Sequence, residues 1–159
     1  MARPALAAVP DAEARPGQLA SAITTLSVIS RRLFRERMAQ EKWARDAGLR
    51  APCYSVLTWI DRLEPVSQKR ISDQIRHDPS DIVAVVDILE RAGFVARRRD
   101  PDDRRRYSLS LTARGRRALH RLDTIALEVQ DAVLAPLGSR DRATFERLLH
   151  DVIDHHATT

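Results

Sequence analysis

The 159 residues predict a mainly α fold with one small β-hairpin set among the helices. Three observations predict it. Apolar residues recur at three- and four-residue steps over most of the chain, the period of a helix with one buried face. Two of these helical segments, one around Ile71 and one around Val85, follow each other within a few residues. So short a connection forces a sharp crossing, as in a helix-turn-helix. After Gly93 the period falls to two and a cluster of turn residues interrupts it, the pattern of a hairpin.

Taken in order, residues 1–16 hold three prolines, many alanines and few large apolar groups, and read as a flexible N-terminal arm. From about Gly17 to Asp46, Leu19, Ile23, Leu26, Ile29, Leu33, Phe34 and Met38 predict one long helix. Its length suggests that its stripe packs against another chain as well as its own. Gly48 is the stop signal. Pro52 suits the first position of the next helix, whose apolar face is Val56, Leu57, Ile60 and Leu63 with Trp59 beside it, and Glu64-Pro65 ends it. Ser67 caps a short helix that carries Ile71 and Ile75 and ends near His77. Asp78-Pro79-Ser80-Asp81 opens the following helix, with Asp78 as N-cap, Pro79 at the first position and Asp81 at the positive end of the dipole. Ile82, Val85, Val86 and Leu89 form its buried face and Gly93 closes it.

Phe94 to Arg99 can extend as a strand. Asp100-Pro101-Asp102-Asp103 is a turn cluster, in which proline fixes φ and the aspartates bond the local backbone. Arg106 to Leu111 then alternates, with Tyr107, Leu109 and Leu111 on one face. Thr112 caps a long helix through Leu119, Leu122, Ile125, Ala126, Val129 and Val133. Pro136-Leu137-Gly138 breaks it, and Ser139 caps a last helix bearing Phe145, Leu148, Leu149 and Val152.

Charge narrows the function. Lysine and arginine number 27 against 22 acids, for a net charge of +5, and only Lys42 and Lys69 are lysine. The arginine bias by itself fits the codon usage of a GC-rich genome; its placement does not follow from that. Nine arginines fall between Arg97 and Arg117, against Asp100, Asp102 and Asp103. A concentrated cationic patch points to a polyanion, nucleic acid first. A membrane surface fits less well, because no strongly basic helix carries exposed aromatics and no apolar run approaches the roughly 18 residues of a span. Met1–Gly17 lacks a signal peptide's apolar stretch, being interrupted by Asp11, Glu13 and Arg15, so a soluble cytoplasmic protein is expected.

Other chemistries find little footing. The single cysteine, Cys53, excludes an internal disulfide, a zinc ribbon or a dithiol redox pair. No glycine-rich phosphate loop, Gly-x-Ser-x-Gly, His-Glu-x-x-His or paired-carboxylate pattern is present, so no catalytic residue, no cofactor and no enzyme activity is expected. His150 and Asp154 lie four apart, a metal-compatible spacing. Without further ligands they read as a solvated terminal turn, and no metal site is assigned.

A helix-turn-helix followed by a hairpin with a basic tip suits double-stranded DNA. A helix can read base edges in the major groove, and a hairpin can place arginine in the narrower, more negative minor groove. The residues that carry a family resemblance stand here: Leu89-Glu90-Arg91-Ala92-Gly93-Phe94-Val95, Arg97 to Asp100, Pro101-Asp102-Asp103-Arg104-Arg105, and Leu109-Ser110-Leu111-Thr112-Ala113-Arg114-Gly115. Their joint spacing resembles the multiple-antibiotic-resistance regulator (MarR) family, with its Leu-Glu-x-x-Gly-Leu-Val helix end, Asp-x-x-Asp-x-Arg wing and Leu-Thr-x-x-Gly helix start. The order and lengths of the helices match from about 17 to 156.

The resemblance implies a winged helix-turn-helix regulator of transcription, most simply a ligand-responsive repressor, acting as a two-fold homodimer on a pseudo-palindromic operator. It implies an N-terminal dimerisation helix at 17–50, the winged DNA-binding region at 51–112 and C-terminal dimerisation helices at 113–159, intertwined as one domain. Helix 79–92 would enter the major groove. Arg105 matches the wing arginine that reaches the minor groove, and Asp103 the acid that orients it; simple turn chemistry is the plainer role for Asp103, and a solvated charged loop the plainer role for the arginines. Arg104 and Arg106 flank the wing, and Lys69, Arg70 and Arg76 would supply backbone contacts. The exposed positions of the recognition helix are Ser80, Asp81, Val83, Ala84 and Asp87, where the family often has Ser, Thr, Arg or Lys. Ser80 can donate to phosphate or base and Ala84 can touch a thymine methyl, but the acids repel phosphate, so wing and shape readout are expected to dominate.

The family also implies a small-molecule effector, with Trp43, Tyr54 and Trp59 as candidate lining residues; aromatic core is the plainer role for all three. Two alternatives are a redox regulator acting through Cys53, and a winged-helix module for protein interaction without tight DNA binding. Cys53 lies near a helix N-terminus, which lowers a thiol pKa. It is far from the first helix, where hydroperoxide-sensing relatives carry their cysteine, and a small core residue is the better reading.

Overall fold

The computed structural model describes residues 18–75, 79–99 and 107–157. The N-terminal arm, Arg76, His77, the proposed cap Asp78 and the hairpin tip at 100–106 lie outside the described residues. The order is α1 (Gln18–Gln40), α2 (Lys42–Asp46), α3 (Ala51–Leu63), β1 (Val66–Ser67), α4 (Gln68–Ile75), α5 (Pro79–Arg91), β2 (Val95–Arg99), β3 (Tyr107–Leu111), α6 (Ala113–Leu134) and α7 (Ser139–Ala157). The three strands form an antiparallel sheet in the order β1-β3-β2.

The single helix expected from Gly17 to Asp46 is two helices. The chain turns extended at Glu41 (φ −77°, ψ 108°), whose carbonyl accepts the Ala44 and Arg45 N–H groups and so starts α2. The Glu41 carboxylate holds the bend, accepting the Trp43 indole N–H at 2.7 Å and an Arg121 N–H from α6 at 3.3 Å. α2 then closes in a Schellman motif. Gly48, at φ +66°, donates to Arg45, and Leu49 donates to the Ala44 carbonyl. α5 ends the same way. Gly93, at φ +71°, donates to Glu90, and Phe94 donates to Leu89.

Ser67 caps α4, its hydroxyl accepting the Arg70 N–H at 3.3 Å. β1 was not expected: Val66 and Ser67 pair with Leu109 and Ser108 and cover the far edge of the hairpin. The Thr112 cap is as expected. Its hydroxyl accepts the Gly115 N–H at 2.9 Å and donates to the Gly93 carbonyl at 2.7 Å, tying the start of α6 to the end of α5. α7 begins at Ser139 itself.

The core lies where α3, α4, α5, the sheet and α6 meet. Val56, Leu57, Ile60, Ile71, Ile82, Val85, Val86, Leu89, Leu109 and Leu122 are at most 2% exposed. Tyr107 shares its face of β3 with Leu109 and Leu111 but is 46% exposed, because it sits at the outer end of the strand, beyond the core. α1 buries only Met38, and no described residue of α7 is buried in the single chain.

Candidate nucleic-acid interface

α5 presents two faces. Ile82, Val85, Val86 and Leu89 point into the core, while Asp81, Val83 and Ala84 are exposed along the opposite stripe. Ser80 belongs to α5 by its backbone; its side chain lies outside the described residues. On α4, Lys69 and Arg70 are exposed. Asp103, Arg104, Arg105, Arg106 and Arg76 fall outside the described residues, so the wing is seen through its stalk. In that stalk β2 and β3 pair from Val95↔Leu111 to Arg99↔Tyr107, and Arg98 and Arg99 are exposed.

The arginine patch divides once the side chains are placed. Arg97 turns toward α5, where one terminal N–H donates to Asp87 at 2.9 Å and its Nε lies 3.3 Å from Glu90. Arg114 stacks over Phe94, its guanidinium carbon 5.2 Å from the ring centroid. Arg116 bonds the Glu64 carboxylate and lies 3.7 Å from Asp61. Glu64 hydrogen-bonding and charge raise the Arg116 pKa. The other Glu64 oxygen accepts the Leu111 N–H at 2.6 Å, so Glu64 joins the end of α3 to β3 and α6. Sequence reading identified neither the Arg97 clamp nor the Glu64 junction. The only signal for the clamp was the three-residue spacing of Asp87 and Glu90, which places both on one side of a helix.

The candidate effector residues are not gathered into one site. Trp43 is half-buried and lines a cleft of about 650 Å³ with Asp46, Gly48, Ile88, Arg91 and Arg114. Its ring also carries Arg121, at 4.2 Å. Tyr54 lies away from that cleft, stacked on Phe34 at 5.2 Å, its hydroxyl donating to Asp123 at 3.0 Å. Burial first, then the Asp123 bond, push the Tyr54 pKa up to about 12. Trp59 packs against the core edge with Arg62 at 5.5 Å. Cys53 is fully buried, and its Sγ accepts the Arg50 N–H at 3.4 Å. Burial raises its thiol pKa, outweighing the helix start that was expected to lower it. A buried thiol held protonated is a poor peroxide sensor. Among the described residues no group of His, Cys, Asp and Glu is arranged to hold a metal ion, and no helix is long and apolar enough to cross a membrane.

Comparison with known proteins gives a consistent set of likenesses. The model of the MarR family matches residues 49–107. A candidate transcriptional regulatory protein for the hcr operon of Thauera aromatica is 33% identical over 102 residues, covering 64% of this chain and 61% of its own length. The chain thus spans about three-fifths of that curated relative. The crystal structure of MarR has a TM-score of 0.77 at 20% identity, over 89% of this chain and 98% of that one. A Mycobacterium tuberculosis MarR family protein in complex with DNA has a TM-score of 0.70 at 23% identity, over 88% and 98%. What these two structures share with the chain is its fold.

Proposed function

We propose that this chain, whose residues 49–107 match the model of the MarR family, is a DNA-binding regulator of transcription acting as a homodimer on a pseudo-palindromic operator. One observation carries the reading. The exposed stripe of α5 and the cationic stalk of the hairpin are fixed side by side, β2 against α5. In this reading α5 enters the major groove, presenting Ser80, Asp81 and Ala84, and Arg105, oriented by Asp103, enters the minor groove with Arg104 and Arg106 beside it. Lys69, Arg70 and Arg76 hold phosphates. Domain roles follow: residues 17–50 and 113–159 dimerise and 51–112 bind DNA. The protein works in the cytoplasm, has no catalytic role, and represses by occupying the operator. The relative crystallised with DNA supports this reading.

An effector would act by shifting the population of dimers whose two α5 helices match the half-site spacing. Of the three aromatic candidates Trp43 supports such a site, since it lines the cleft between α2, the end of α5 and the start of α6.

The test is a fluorescence-anisotropy titration of the protein with promoter duplex and random duplex at several salt concentrations, with Arg105→Ala in parallel. Preference for one duplex is expected. If each protomer neutralises three phosphates, the log–log salt slope should be roughly −5, at about −0.9 per phosphate. Arg105→Ala should weaken specific binding about tenfold, within the range of one minor-groove or base contact. Equal, weak binding to both duplexes would overturn the reading in favour of a protein-interaction module.

A further inference from the structure

Asp87 and Glu90 lie one helical turn apart on α5, beside the stripe that carries Asp81 and Ala84. Left alone, two carboxylates there would repel a phosphate backbone and draw the wing in no fixed direction. They are not left alone. Arg97, on the same face of β2 as the buried Val95, reaches both, at 2.9 Å to Asp87 and 3.3 Å to Glu90. Its side chain is only 26% exposed, against 47% and 42% for the acids, and its Nε is inaccessible to solvent. Guanidinium is a planar fork that stays charged, so one group held between two carboxylates fixes an angle as well as a distance. Arg98 and Arg99 continue along the strand with exposed side chains.

We infer that Arg97 is a positioning residue for DNA recognition: it neutralises Asp87 and Glu90 and locks the wing stalk to the recognition helix, so that both grooves are read by one rigid unit. The inference rests on the DNA-binding reading above. It assigns to the two acids, which look out of place on a recognition helix, the role of anchoring the wing. It also removes Arg97 from the set of arginines that touch phosphate.

A double-mutant cycle separates this role from direct contact. Operator affinity, specificity ratio and salt slope are measured for wild type, Arg97→Gln, Asp87→Asn with Glu90→Gln, and the triple variant, with Arg97→Lys as the conservative replacement. Arg97→Gln should lose about tenfold in operator affinity, within the coupling range of ion-pair networks, and should lower the ratio of specific to random binding. Its salt slope should stay at the wild-type value, because no phosphate contact is removed. In the background lacking both acids, Arg97→Gln should cost less than about twofold, since its partners are gone. Lysine, a point charge without the fork, should restore neutralisation but only part of the specificity ratio. A slope less steep by about 0.9, with the same loss in both backgrounds, would mark Arg97 as a phosphate contact and overturn the inference. So would wild-type affinity in Arg97→Gln. If wild type itself shows no preference for any operator, the DNA-binding reading fails and takes this one with it.

Discussion

At the residue scale, the Leu-Thr-x-x-Gly pattern that opens α6 has a physical reason. Thr112 ties the helix start to Gly93, and Gly115 lets the Phe94 backbone come close; a Cβ at 115 would stand 1.9 Å from the Phe94 carbonyl oxygen. No rotamer change relieves a clash with backbone, so Gly115→Ala should destabilise the fold by about 3 kcal/mol, and Thr112→Ala by about 1 kcal/mol through loss of the cap. Denaturant unfolding measures both, and a Gly115→Ala midpoint equal to wild type would show that the junction is not tight. Tyr54 makes a second residue-scale case. Its folded-state pKa of about 12 stands above the ordinary 10.0, so the neutral phenol is the form the fold prefers. The stability tied to it is therefore fully present below pH 10 and is lost as pH rises toward 12. Tyr54 should give a late tyrosinate absorbance step in a pH titration. Tyr54→Phe should abolish that step and lower stability by about 1.5 kcal/mol, the worth of a hydrogen bond to a charged acceptor. Persistence of the late step in that variant would assign it to another group.

At the element scale, what was legible in the sequence followed local rules. The stops at Gly48 and Gly93, the caps at Ser67 and Thr112 and the two hairpin strands depend on residues within a turn or two of each other, and the chain states them directly. What was not legible depends on partners far away. Gln40-Glu41-Lys42-Trp43 is good helical sequence, yet α1 breaks there, where Arg121, eighty residues on, bonds the Glu41 carboxylate. β1 has two residues, too few for a period, and exists because β3 offers an edge. The arginine patch was legible as charge but not as roles. Seen in sequence, Arg97, Arg98, Arg114 and Arg116 are equivalent cations. In the fold, one clamps α5, one is exposed, one lies on Phe94 and one joins α3 to α6. The effector aromatics were grouped in the sequence by character, and the fold separates them for the same reason: Tyr54 and Trp43 face different parts of the molecule.

At the scale of the whole molecule, the two ends of the chain are incomplete as they stand. α7 has 19 residues, none of the described ones buried in the single chain, and an isolated helix of that length is marginal in water. Leu19, Ile23 and Val28 on α1, and Leu148, Leu149, Val152 and Ile153 on α7, are all 42% or more exposed. Burying such side chains yields about 1.5–3 kcal/mol each. Several buried on each protomer would outweigh the roughly 4–15 kcal/mol that association costs. A second copy would satisfy both ends at once and would set two α5 helices a fixed distance apart, as the proposed pseudo-palindromic operator demands. The protein should therefore sediment at twice 18.0 kDa, with a melting temperature that rises with protein concentration. Leu149→Glu combined with Val152→Glu should bring it to the monomer mass, reduce the helical signal of α7 and abolish operator preference, while Leu149→Met should leave all three unchanged. Wild type at monomer mass, or the doubly charged variant still sedimenting as a dimer, would mean that these faces serve some other purpose. The same experiment bears on regulation. If the dimer sets the spacing of the α5 helices, a ligand that changes operator affinity without changing sedimentation acts within the dimer, and the cleft that Trp43, Arg91 and Arg114 line is the place proposed for it.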